Sequence, residues 1–125
     1  MKYLCMIYED ERVWQTLPKA DKDKVFAEYS AFKDDIRRTG NLLGCNPLQP
    51  TRTATIVRVR NGKLSTTDGP FAETKEQLGG YFLIEARDLN DAIQVASRIP
   101  SARTGSIEVR PIMEFNEQKQ TTAAS

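Results

Sequence analysis

The sequence predicts an α+β domain in which two amphipathic helices cover one face of a mainly antiparallel sheet. Three observations point there. The runs 3–8 and 80–86 are apolar almost throughout, as strands covered on both faces must be. Apolar residues recur at helical spacing in 18–39 and again in 92–99. These pieces follow the order strand, helix, strand, twice over, and 125 residues leave room for one such domain.

Residues 3–8 make the first strand, and Glu9-Asp10-Glu11-Arg12 ends it. Val13, Trp14 and Leu17 form a short helical turn, and Trp14 suits either a cap on the core or the mouth of a pocket, the core being favoured because large aromatics mostly serve there. The long helix spans 18–39: Pro18 suits a first helical position and Gly40 the residue just past the end. Val25, Tyr29, Phe32 and Ile36 form its apolar stripe, with Phe26 beside it; Lys22, Lys24, Asp34 and Arg37 form the solvated face. Residues 42–45 make a short extended segment. The two prolines in 46–50 then dictate a loop, since neither a helix interior nor a central strand tolerates them.

Residues 54–60 alternate, with Thr55, Val57 and Val59 facing one way and Ile56, Arg58 and Arg60 the other. Asn61-Gly62 predicts a type I′ turn, and 63–67 returns as the second strand of a polar edge hairpin. A second well-covered strand occupies 80–86. Asp88 caps the next helix, whose buried stripe is Ala92, Ile93, Ala96 and Ile99 and which Pro100 stops. Residues 106–114 are the last strand, Ile107 and Val109 on one side and Glu108 and Arg110 on the other. Residues 1–115 thus form the domain, and 116–125, polar and aperiodic, a frayed, disordered tail. Strand–helix–strand repeated twice is the ferredoxin-like, two-layer arrangement. With no third helix for the second sheet face, another subunit is its natural cover.

Composition excludes several function classes. A formal net charge of +1 and the lack of a basic helix stripe argue against direct nucleic-acid binding. Without histidine, the commonest general base and metal ligand are gone, and acid–base work falls to carboxylates, Lys, Tyr or Cys. No phosphate loop, zinc spacing, Ser-His-Asp constellation or dinucleotide fingerprint occurs, so neither cofactor nor metal is expected. No apolar run approaches ~18 residues, and none is expected to span a membrane. Residues 1–8 are too short for a signal-peptide core, which makes the cytoplasm the expected compartment. Cys5 and Cys45 read as small buried hydrophobes in a reducing compartment; a disulfide would need their elements side by side.

Residues 68–80, Asp-Gly-Pro-Phe-Ala-Glu-Thr-Lys-Glu-Gln-Leu-Gly-Gly, concentrate turn formers and charges as no other run does. Gly69 opens backbone angles closed to other residues and Pro70 fixes φ, so Asp68 sits on a rigid corner. Asp68 also suits a structural role, accepting from backbone amides of its own turn. Glu73 and Gln77 would share a face if this stretch were a short helix. Asp68 and Glu73 are the catalytic candidates. Lys75 and Tyr81, in and just after the run, are candidate ligand-binding residues, as are Arg103 in a small-residue loop and Arg110 beside Glu108. If the polar side of the last strand lines a dimer interior, Glu108 and Arg110 must be paired or used.

The run 67–81 resembles the signature of the DGPF proteins, within the YCII-related family. The stretch 92–103, with Gly105-Ser106-Ile107-Glu108-Val109-Arg110-Pro111, is similar to that family's second motif, so the likeness covers Tyr3 to about Phe115. It implies a ferredoxin-like protomer pairing into a dimeric α+β barrel. For the wider family it implies a His–Asp catalytic pair. This chain keeps Asp68 but has no histidine, so the pair does not carry over. Members resembling this chain are often encoded beside, or fused to, extracytoplasmic-function sigma factors, which implies a regulatory link. The leading expectation is a homodimer with a polar cleft around Asp68 in each subunit, binding a small polar or anionic molecule. The alternative is a non-enzymatic regulatory protein that meets a sigma factor or other protein through 68–80. A third reading is a structural barrel whose motif closes the fold.

Overall fold

The structure is a computed structural model and describes residues 1–115; the tail expected at 116–125 lies outside the described residues. In chain order the elements are β1 (Lys2–Glu9), α1 (Glu11–Thr16), α2 (Lys19–Arg38), β2 (Leu42–Pro47), β3 (Thr55–Arg60), β4 (Lys63–Asp68), β5 (Gln77–Glu85), α3 (Leu89–Ser97) and β6 (Ser106–Pro111). Four strands form one sheet in the order β2-β5-β1-β6, while β3 and β4 form a separate two-stranded ribbon. Every pairing is antiparallel. This α+β architecture is compatible with the ferredoxin-like arrangement.

Strand periodicity explains the layering. Tyr3, Cys5 and Ile7 alternate along β1, and their partners Ile84, Phe82 and Gly80 on β5 point the same way. Onto that face pack Phe32 and Ile36 of α2, Ala92, Val95 and Ala96 of α3, and Ile99 just beyond it. Each fully buried large side chain contributes roughly 1.5–3 kcal/mol by removal from water. The helices leave the other sheet face open, where Leu4, Met6, Tyr8, Tyr81 and Leu83 stay half-buried.

Several boundaries differ from the sequence reading. β2 runs on through Pro47, because it is an edge strand and a terminal proline there breaks no ladder. β5 begins at Gln77, three residues early, with a bulge at Gly79 where Ile7 pairs with Gly80 but Tyr8 with Leu78. β6 ends at Pro111, short of the expected 114. No helix forms between Gly69 and Glu76, so Glu73 and Gln77 do not share a helical face. In α3 the inward position taken for Ile93 belongs to Val95; Ile93 is 46% exposed. Ala92, Val95, Ala96 and Ile99 keep the three-and-four spacing that Ile93 breaks. Asp88 does cap α3, accepting from the Asp91 N–H at 2.8 Å. Asn61 and Gly62 take φ of 54° and 73°, the positive pair a type I′ turn requires. The ribbon is therefore built as expected, but it joins no edge of the larger sheet. No helix among the described residues is long and apolar enough to cross a membrane.

Two glycines carry structural weight for opposite reasons. Gly69 closes the ribbon's base by donating to the Ala54 carbonyl at 2.8 Å, with φ of +102° and open space where a Cβ would sit. A Cβ at Gly105 would instead run into the Tyr8 carbonyl oxygen and lie 2.7 Å from Glu9 Cγ. Gly69→Ala should therefore cost about 1 kcal/mol through backbone strain alone. Gly105→Ala should cost more, roughly 2–3 kcal/mol, because packed backbone must move. Urea unfolding of both variants checks the order, and an equal or smaller loss at Gly105 contradicts the close approach.

Candidate functional site

The chain leaves β1 through an abrupt turn. Asp10 caps α1 by accepting from the Arg12 N–H at 3.0 Å and pairs with the Arg12 guanidinium. This swings Trp14 toward α2, where its ring meets Phe26 edge-on at 5.4 Å. Of the two roles open to Trp14, the core cap does not hold and the pocket mouth does. A six-residue helix with no buried residue cannot seat the indole in the core, and Trp14 lines the mouths of two adjoining concavities.

The larger concavity is a cleft of about 520 Å³ between α1, α2 and the β2–β5 edge of the sheet. Along α2, Val25, Tyr29 and Lys33 recur every four residues, so one helix face supplies its roof. Phe82 and Ile7 form the floor; the Tyr29 ring stacks on Phe82 at 6.2 Å and 4° between planes. The far wall is the segment from Cys45 to Pro50, and hydrogen bonds hold it in place. Thr51 donates its N–H and hydroxyl to Glu11 at 2.7 and 2.8 Å. The Glu11 N–H donates to Gln77 Oε1 at 2.9 Å, and the Leu48 N–H to the Gly79 carbonyl at 2.9 Å. Gly80 lets the wall approach: a Cβ there would meet the Asn46 carbonyl oxygen at 3.0 Å.

The polar content of the cleft is sparse and mostly committed. Ser101 is buried, and its hydroxyl is hydrogen-bonded to the Tyr29 phenol. Burial raises the Tyr29 pKa above the ordinary phenol value; nearby Glu9 adds to the rise and the Ser101 hydrogen bond opposes it. Glu9 accepts from the Thr104 hydroxyl. Lys33 is half-buried and in no ion pair among the described residues. Cys45 adds a half-buried free thiol. Cys5 is fully buried, and burial pushes its thiol up to about 11. Both cysteines pair with Phe82 from opposite sides, which sets them two strands apart. At roughly 10 Å that separation is too great for a disulfide. No cluster among the described residues could hold a metal ion.

The sequence candidates scatter over this frame. Asp68 ends β4 exposed, Glu73 and Lys75 are exposed in the following loop, and none of the three lines either of these concavities. Tyr81 borders the cleft from the β2–β5 edge, but its side chain lies on the open sheet face, where its hydroxyl accepts from Asn46 Nδ2 at 2.9 Å. Arg103 lines the smaller groove, about 170 Å³, with its guanidinium paired to Glu28. Arg110 is exposed on the open sheet face, 3.9 Å from Glu108. Of the sequence candidates, Tyr81 borders the larger of these two concavities and Arg103 the smaller. Sequence reasoning passed over Glu9, Ser101, Lys33 and Cys45 as cleft residues. The legible signal was Lys33, a charge four residues after Tyr29 on the apolar stripe.

The YCII-related domain model matches residues 1–116. An uncharacterised protein of Rhizobium meliloti (strain 1021) is 38% identical over 114 residues, covering 90% of this chain and 92% of that protein.

The Tyr29–Ser101 pair yields a direct prediction. Tyr29→Phe leaves the buried Ser101 hydroxyl without its partner and should cost roughly 1–3 kcal/mol. Adding Ser101→Ala should recover part of that loss, since removing both partners is nearly neutral. A double-mutant cycle by urea unfolding reads the coupling; strictly additive losses would contradict the bond.

Proposed function

The chain belongs to the YCII-related family, and from that premise we propose that it binds a small molecule in the cleft beneath α2. One observation carries the reading: a space of about 520 Å³ with aromatic and aliphatic walls, a buried phenol–hydroxyl pair and an ammonium in no ion pair among the described residues. That volume and sparse polarity are those of small-molecule pockets, in which a few placed polar groups orient an apolar ligand. The ligand is a molecule with a flat apolar body and one polar or anionic group. Phe82, Tyr29 and Trp14 suit the body, Tyr29 and Ser101 a hydrogen bond, and Lys33 a negative charge. Binding is assigned without catalysis, because Asp68 and Glu73 stand outside the cleft. The protein works as a homodimer joined through the open sheet face, which Leu4, Met6, Tyr8, Tyr81 and Leu83 make apolar enough to need a cover.

A second reading rests on Phe71, 78% exposed in a loop that borders neither of the two concavities. Such a ring favours a protein contact there, in keeping with a regulatory partner such as a sigma factor.

The cysteines supply the test of the cleft. Native protein should take one N-ethylmaleimide, at Cys45, because the Cys5 thiol is buried and held protonated. Fragment-sized aromatic acids that bind by ligand-observed NMR should slow this labelling and lose affinity for the Cys45 adduct. They should still bind Cys45→Ser. Equal binding to the blocked protein would place the site elsewhere and overturn the proposal.

A further inference from the structure

The charged side chains that line the larger cleft are Glu9, Glu11 and Lys33. Glu11 is committed to structure, its two carboxylate oxygens accepting from the Thr51 N–H and hydroxyl. Glu9 is not. It is half-buried and in no ion pair among the described residues. One of its oxygens accepts from the Thr104 hydroxyl, and the other accepts no hydrogen bond among those residues. Lys33, half-buried too, is likewise in no ion pair among them.

The fold sets these two charges at opposite ends of the cleft. Glu9 follows Cys5 and Ile7 on the covered face of β1, so it points to the α2 side. There it shares the smaller groove with Val25, while Lys33 lines only the larger cleft. Phe32, beside Lys33, packs edge-on against Phe82, and Phe82 pairs with Cys5. From Cys5 to Glu9 is about 13 Å of strand, and from Val25 to Lys33 about 12 Å of helix. Floor and roof therefore root the carboxylate and the ammonium at about the same distance, with Tyr29 between them. Glu9 is near enough to Tyr29 to add to the rise in its pKa.

A partly buried charge is costly without a partner, and an apolar ligand that strips its water raises that cost. One molecule relieves both ends only if it carries opposite charges at its own two ends. A hydrogen bond of about 3 Å at each end leaves roughly 6–7 Å for the molecule itself. A single benzene ring with substituents on opposite carbons has that length. We propose that the cleft takes a one-ring aromatic zwitterion, its ammonium on Glu9 and its carboxylate on Lys33. The proposal rests on the cleft reading and adds a second polar group, opposite the acid. Thr104 then positions Glu9, holding one oxygen so that the other faces the ligand.

Isothermal titration of the full chain with para-aminomethylbenzoate, para-methylbenzoate and para-methylbenzylamine tests this. Protection of Cys45 from N-ethylmaleimide reports whether each binds in the cleft. The zwitterion should bind about tenfold more tightly than para-methylbenzoate, the gain of one charge-assisted hydrogen bond. Glu9→Gln should erase that advantage and leave para-methylbenzoate unchanged. Lys33→Met should weaken both acids and leave para-methylbenzylamine unchanged, a split that partial unfolding would not produce. If Glu9→Gln does not fold, Glu9→Asp, one methylene shorter, should shift the preference to para-aminoethylbenzoate. Two acids that bind and protect Cys45 equally in the wild type overturn the ammonium site and leave the cleft reading intact. A zwitterion preference that neither Glu9 variant alters does the same. If no aromatic acid protects Cys45, the cleft reading fails and this proposal with it.

Discussion

A sheet has two faces, and among the described residues long helices cover only one of them. That constraint orders the rest of the structure. β1 must be central because Tyr3, Cys5 and Ile7 need neighbours on both sides and a helix above. Phe82 becomes the pivot of the covered face, with Tyr29 stacked over it, Phe32 set edge-on at 5.2 Å, and Cys5 and Cys45 flanking it. The opposite face is left with half-buried aliphatic and tyrosine side chains and, among the described residues, no helix over them.

The cleft follows from how unevenly α2 lies on that face. Its only buried residues, Phe32 and Ile36, are in the carboxy-terminal half. Towards its start Val25 is half-buried and Phe26 exposed, so the helix lifts off the sheet as it rises toward α1. Trp14 leans on Phe26 and does not fill the wedge beneath. Close packing elsewhere makes such an unfilled, aromatic-walled gap informative, because folding alone favours closing it. The segment from Cys45 to Pro50 is pinned by Glu11, Gln77 and Gly79, which keeps the gap open.

Much of the fold was legible in local pattern. The strands at 3–8 and 80–86, the long helix, the Asn61-Gly62 turn and the Asp88 cap all follow from period and turn chemistry. What was illegible depends on neighbours distant in sequence. Pro47 can end a strand only because β2 has no partner on one side, and β5 can start at Gln77 only because Gly79 bulges against β1. The site suffered more from the same blindness. Charge density drew attention to Asp68 and Glu73, which the fold leaves in solvent. The cleft residues Trp14, Tyr29, Cys45 and Ser101 come from four separate segments, and each taken singly looks like core. Only their convergence under α2 distinguishes them.

The most direct test of the account is a crystallographic soak of the protein with a mixture of small aromatic acids and their neutral analogues. The account predicts electron density for a bound molecule between Tyr29, Trp14 and the Cys45–Pro50 wall, with an acidic group toward Lys33. Density confined to the Asp68 corner or to the open sheet face, with nothing from the mixture beneath α2, would contradict it.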